Sequence, residues 1–149
     1  MQHHAFVPVF AVVLALALGT AACGGDSSGP DDAGITGTYA LQTVANDDGA
    51  ENLPATHQGA FGGEYTFTSG SLTLAANGTY TRTGSFTYDD IITDGDLGDT
   101  GTFTRSGADL TFTSDQSDPF TGTVDGDELT LVFPVVNAAD EFTFVFQVD

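Results

Sequence analysis

Beyond Ile35 the chain is a series of short stretches in which apolar residues recur at every second position, and this alternation limits the fold more than any other feature. Successive side chains of a strand point to opposite faces, so a period of two marks half-buried extended backbone. No segment after residue 34 keeps the longer period of an amphipathic helix. Thr, with some Ser, lines one face and aromatic or aliphatic residues the other, as in the run from Thr79 to Tyr88. Thr suits the wet face because its branched Cβ favours extended backbone while its hydroxyl stays hydrated. The pattern predicts eight or nine short strands, at 37–41, 65–67, 72–74, 79–88, 100–105, 110–112, 120–124, 129–133 and 142–148.

The turns must bring apolar faces together, because opposed residues of an antiparallel pair share a face. A two-residue loop at Asp125-Gly126, as a type I′ turn, sets Val124 opposite Asp127, Gly122 opposite Leu129 and Phe120 opposite Leu131. The same length at Asn77-Gly78 would set Leu74 against Thr81. A three-residue loop with Gly78 left-handed instead sets Leu74 opposite Tyr80 and Leu72 opposite Arg82, which predicts a G1-bulge hairpin. Ser69-Gly70 and Ser106-Gly107 read as two-residue loops. Residues 46–63 read as a long loop and 89–99 as an acidic one. Consecutive hairpins give up-and-down order, and closure into an antiparallel β-barrel of about eight strands hides the sheet edges. By parity Phe67, Phe86, Phe103, Phe112, Phe120, Phe133, Phe142, Phe144 and Phe146 share the inner face. Nine rings at roughly 200 Å² each are enough to fill a narrow barrel.

Ahead of this domain, Phe6 to Leu18 is an apolar run broken only by Pro8, too short to span a bilayer and of the length of a signal-peptide core. Gly19, Thr20, Ala21, Ala22 and Cys23 follow. They resemble the lipobox of bacterial lipoproteins, with Thr20 where an aliphatic residue is usual. The leader carries no Lys or Arg. The resemblance implies a signal peptide over 1–22 and a lipidated Cys23, which palmitate would label. Gly24 to Gly34 is rich in Gly, Ser and Asp and reads as a flexible tether, so 23–34 links the lipid to a domain over 35–149. Gly24, not Asp, stands directly after Cys23, which by the same resemblance implies the outer membrane, facing the periplasm or the outside, rather than retention at the inner one. With no second Cys there is no disulfide within the chain.

The net charge is -19, from two Arg and 21 Asp and Glu, with Lys absent. Nucleic acid and anionic headgroups are excluded as partners, since both need clustered cations. Twelve Phe and four Tyr keep so acidic a chain from being disordered.

Four stretches are similar to the lipocalin-like domains of short bacterial lipoproteins. Ile35-Thr36-Gly37-Thr38-Tyr39 resembles the opening Gly-x-Trp strand, with Tyr39 in the Trp place. Leu53-Pro54 matches a frequent loop element. Gly70 to Tyr80 resembles a strand–turn–strand repeat of that family, and Gly122 to Leu131 its late hairpin. The resemblance implies a lipocalin-like barrel. The basic residue that lipocalins pack over the opening Trp has no match in the last strands.

Catalytic chemistry is hard to find. His57 is the only His beyond the leader, no Gly-x-Ser-x-Gly run occurs, and zinc would need several His or Cys ligands. The acidic loop offers Asp94, Asp96 and Asp99 as weak calcium ligands, but as an EF-hand it has Gly98 at the fifth position, Asp99 at the sixth and Arg105 at the twelfth. Arg82 shares the apolar face with Tyr80 and Tyr88. The three form the ligand-binding candidate, against a plain structural reading in which Arg82 pairs with an Asp or reaches solvent. The chain is therefore expected to be a non-catalytic, cofactor-free, lipid-anchored envelope protein. It would bind a small apolar ligand or an envelope protein, or be a structural or interaction module with a filled core.

Overall fold

The computed structural model describes residues 34–60, 62–89, 92–135 and 139–149, with 92–94 described by backbone only. The expected signal peptide, Cys23 and most of the tether lie outside the described residues. The strands are β1 (Gly37–Asn46), β2 (Gly49–Asn52), β3 (Ala55–Gln58), β4 (Glu64–Leu74), β5 (Thr79–Tyr88), β6 (Ile92–Asp96), β7 (Asp99–Ser106), β8 (Asp109–Ser114), β9 (Phe120–Asp125), β10 (Glu128–Pro134) and β11 (Glu141–Val148).

Eight of them, β1, β4, β5, β7, β8, β9, β10 and β11, follow one another round a closed antiparallel barrel, as expected. β11 pairs with β1, and β1 closes the circle on β4 with Gly37 opposite Leu74 and Tyr39 opposite Leu72. Closure leaves none of these eight strands as an open edge over its paired length. All nine Phe assigned to the inner face are buried, and the rings pack on one another: Phe133 stacks on Phe144 at 4.1 Å and Phe112 on Phe120 at 4.7 Å.

The hairpin at Gly78 forms as predicted. Ala75 and Thr79 bracket a three-residue loop, Gly78 has φ +77°, and Leu72 faces Arg82. The two-residue turns instead centre one residue later than expected, on Gly107-Ala108 and Gly126-Asp127. Ser106 then pairs with Asp109, and Val124 with Leu129. Only the first central residue has positive φ in each, +67° at Gly107 and +60° at Gly126, which fits type II′ rather than type I′. The pairing moves by two residues, an even step, so every side chain keeps its face.

Three readings are corrected. Ser69-Gly70 is not a turn: β4 runs straight through it, with a bulge between Phe67 and Ser69. The bulge moves the inner face from Tyr65 and Phe67 to Leu72 and Leu74, odd to even numbers, and this broken parity is what imitated a strand end. Stretch 46–63 is not a loop but holds β2 on β1 and β3 on β4, beyond the point where β1 and β4 part. Within 89–99, β6 pairs with the outer half of β5. Gly95 lies against Phe86, whose ring leaves no room for a Cβ.

Candidate functional site

β7 begins at Asp99, opposite Arg82 half-way along β5, and β6 takes over the pairing along the outer half of β5. Beside Asp99 the loop after β6, the β8–β9 loop and the end of β10 enclose a notch of about 440 Å³. Arg82 forms part of its wall and is 8% exposed. The guanidinium carbon lies 3.7 Å from the centre of the Phe133 ring and 5.0 Å from that of Phe120. Phe133 carries Phe144 as well, so cation and rings form one column. A desolvated contact of this kind contributes on the order of 2 kcal/mol.

Asp99, also buried, is the counter-ion. Its Oδ2 sits 3.7 Å from Arg82 Nη2. Tyr80 donates its hydroxyl to Oδ2 at 2.7 Å, and Ser114 donates to Oδ1 at 2.7 Å. Burial pushes the Arg82 guanidinium down and Asp99 opposes that, yet a guanidinium keeps its proton throughout the working range. Burial, then the bond to Asp99, pushes the Tyr80 phenol well above its ordinary value.

A second buried pair lies at the rim between the β3–β4 and β10–β11 connections. Tyr65 donates to Asp140 Oδ2 at 2.7 Å, and the Ala60 amide donates to Oδ1 at 2.6 Å. Burial and Asp140 raise the Tyr65 phenol in the same way. The Tyr65–Asp140 pair ties two loops to the core, whereas the Tyr80–Asp99 pair joins two paired strands.

The structure thus brings Arg82 and Tyr80 together through Asp99 and leaves Tyr88 elsewhere, with its ring 4.7 Å from that of Tyr65. Of the calcium candidates, Asp99 turns inward to Arg82, Tyr80 and Ser114, and Asp96 Oδ1 accepts from the Gly98 amide at 2.6 Å. The side chain of Asp94 lies outside the described residues. Among the described residues no three His, Cys, Asp or Glu are grouped to hold a metal. Parity could have found Asp99, since it alternates with Gly101 and Phe103 on the inner face. The rings stacked on Arg82 come from strands distant in sequence, and only closure of the barrel reveals them.

His57 is buried at the seam where β1 and β4 part. Its Nε2 lies 2.9 Å from the Val44 carbonyl, and because a carbonyl only accepts, Nε2 carries the hydrogen. The ring links β3 to β1 across a gap that has no backbone ladder. At the other end Tyr39 donates to the Ile35 carbonyl at 2.7 Å. Burial and Asp127 raise its phenol, while the charge of Arg105, on β7, lowers it.

No protein-family model matches the chain, and no curated protein or solved structure matches it.

Proposed function

We propose that this chain is a lipid-anchored bacterial envelope protein whose lipocalin-like barrel is a solid, non-catalytic module that binds at its surface. The packing of the interior carries this reading: nine buried Phe, stacked ring on ring, occupy the space a lumenal ligand would need. The lipobox-like run ending at Cys23 and the Gly/Ser/Asp tether support the anchor and, with no Asp directly after Cys23, an outer-membrane address. The tether enters at Gly37, at the same end as the turns at Gly78, Gly107 and Gly126. The Phe133–Val135 side of the notch lies at the opposite end of β10 from its turn, so the notch is at the other end of the barrel from Gly37.

Two measurements test this. Radiolabelled palmitate should enter the wild-type chain and not Cys23→Ser, and equal labelling of both removes the anchor. Native mass spectrometry of protein purified from its own host should show no lipid held inside the barrel. A stoichiometric apolar ligand there would return the barrel to a carrier.

A further inference from the structure

A guanidinium has five N–H groups. Among the described residues Arg82 makes one hydrogen bond, from Nε to the Leu97 carbonyl at 2.8 Å. Its Nη1 is buried and has no partner. Asp99 does not fill the deficit, since 3.7 Å from Nη2 is beyond hydrogen-bond reach and both its oxygens already accept hydroxyls. A buried group with unmet donors is unfavourable. Arg82 therefore holds unused donors at the wall of an open notch.

The rest of the notch indicates what would use them. Asp96 and Asp118 line it with Arg82 and Asp99, so three carboxylates against one guanidinium leave an excess of two negative charges. The whole chain adds a net charge of -19. A fatty-acid or other free carboxylate is repelled by that field. The fitting ligand is uncharged, has oxygens that accept from Arg82 and hydroxyls that donate to Asp96 and Asp118, and offers C–H faces to Pro119, Pro134 and Val135. We infer that the notch binds a neutral saccharide, held by Arg82 as donor and by Asp96 and Asp118 as acceptors. This deepens the reading of a surface-binding module and does not depend on the lipid anchor.

The test is saturation-transfer NMR on the full-length chain in a sugar-free detergent. The probes are glucose, galactose, mannose and N-acetylglucosamine, with glucuronate and laurate as anionic controls. At least one neutral sugar should bind at millimolar concentration. Arg82→Met should weaken it about tenfold or more, the worth of one charge-assisted hydrogen bond. Asp118→Asn, at an exposed position, should weaken it without touching the core. Binding of no neutral sugar, binding unchanged in both variants, or Arg82-dependent binding of laurate or glucuronate in place of sugars would each overturn the inference. Failure here leaves palmitate labelling of Cys23 unaffected, so the two readings fail separately.

Discussion

Tyr80 and Asp99 face each other inside the barrel from neighbouring strands, hydroxyl to carboxylate at 2.7 Å, and this bond adds a buried side-chain link to the short backbone ladder between β7 and β5. Asp99 is also the only carboxylate within 4.0 Å of Arg82 among the described residues. Removing one member of such a set leaves the others buried and unserved. Asp99→Leu should therefore destabilise the barrel by about 3–5 kcal/mol, because it strands a guanidinium. Arg82→Met leaves a buried carboxylate that is still bonded to two hydroxyls, and should cost less than Asp99→Leu. The double variant should recover most of the loss. Urea denaturation of the three variants reads this out, and an Asp99→Leu midpoint equal to wild type would refute the pairing.

Three buried phenols, Tyr39, Tyr65 and Tyr80, are raised and together set an alkaline limit. Tyr65 and Tyr80 are both raised above the ordinary value of 10.0, first by burial and then by Asp140 or Asp99. A folded-state value above the unfolded one means the native state keeps a proton that the unfolded chain loses. This stabilisation is complete below about pH 10 and is lost as pH rises toward the folded-state value. Stability should thus fall with pH above about 10, and Tyr65→Phe with Tyr80→Phe should flatten that fall. Denaturant midpoints taken across this range measure the slope; an unchanged slope in the double variant would place the alkaline sensitivity elsewhere.

How much of this was legible beforehand depended on whether parity held. Where alternation is unbroken, as in β5 and β11, strand bounds and buried faces follow from the sequence, and so do all nine inward Phe. Where a bulge moves the face, at Leu41/Thr43 in β1 and Phe67/Ser69 in β4, the reading ends a strand too early. The short strands β2 and β6 are polar and border the barrel, so they have no apolar face to announce them. For the site, the inward Arg82 followed from the Gly78 hairpin. Asp99 was set instead among the calcium candidates, because a dense run of Asp hides the one member that alternates with Gly101 and Phe103.

Glycines at close contacts should be less replaceable than those at turns. A Cβ on Gly101 would lie 2.1 Å from the Thr113 carbonyl oxygen, and one on Gly122 would lie 2.4 Å from Leu131 Cδ2 and 2.5 Å from the Thr130 oxygen. Backbone cannot give way as a flexible side-chain end can, so Gly101→Ala should destabilise by about 1–3 kcal/mol or more through overpacking. Gly107 has open space around it and only its φ of +67° to defend. Gly107→Ala should destabilise by about 1 kcal/mol, from the left-handed backbone alone. Thermal unfolding of the two variants ranks them, and the reverse order would mean that β7 and β8 separate more easily than their packing implies.

The filled interior can be tested by emptying it. Phe144 is fully buried, stacks on Phe133 at 4.1 Å and meets Phe67 edge-on at 5.5 Å. Phe144→Ala should destabilise by about 3–5 kcal/mol, as loss of a large buried ring does. If the barrel keeps its shape, the gap is apolar and stays dry, and benzene should enter it. Benzene should then raise the melting temperature of Phe144→Ala and leave the wild type unmoved, because a ligand that binds only the folded state stabilises it by mass action. Equal stabilisation of both proteins would show that an apolar space already exists beside these rings, and the solid-core reading would fail. Stabilisation of neither, with the loss in stability intact, would mean that the neighbouring rings collapse into the gap; Phe144→Leu, which leaves less room, should then unfold at a temperature close to that of Phe144→Ala.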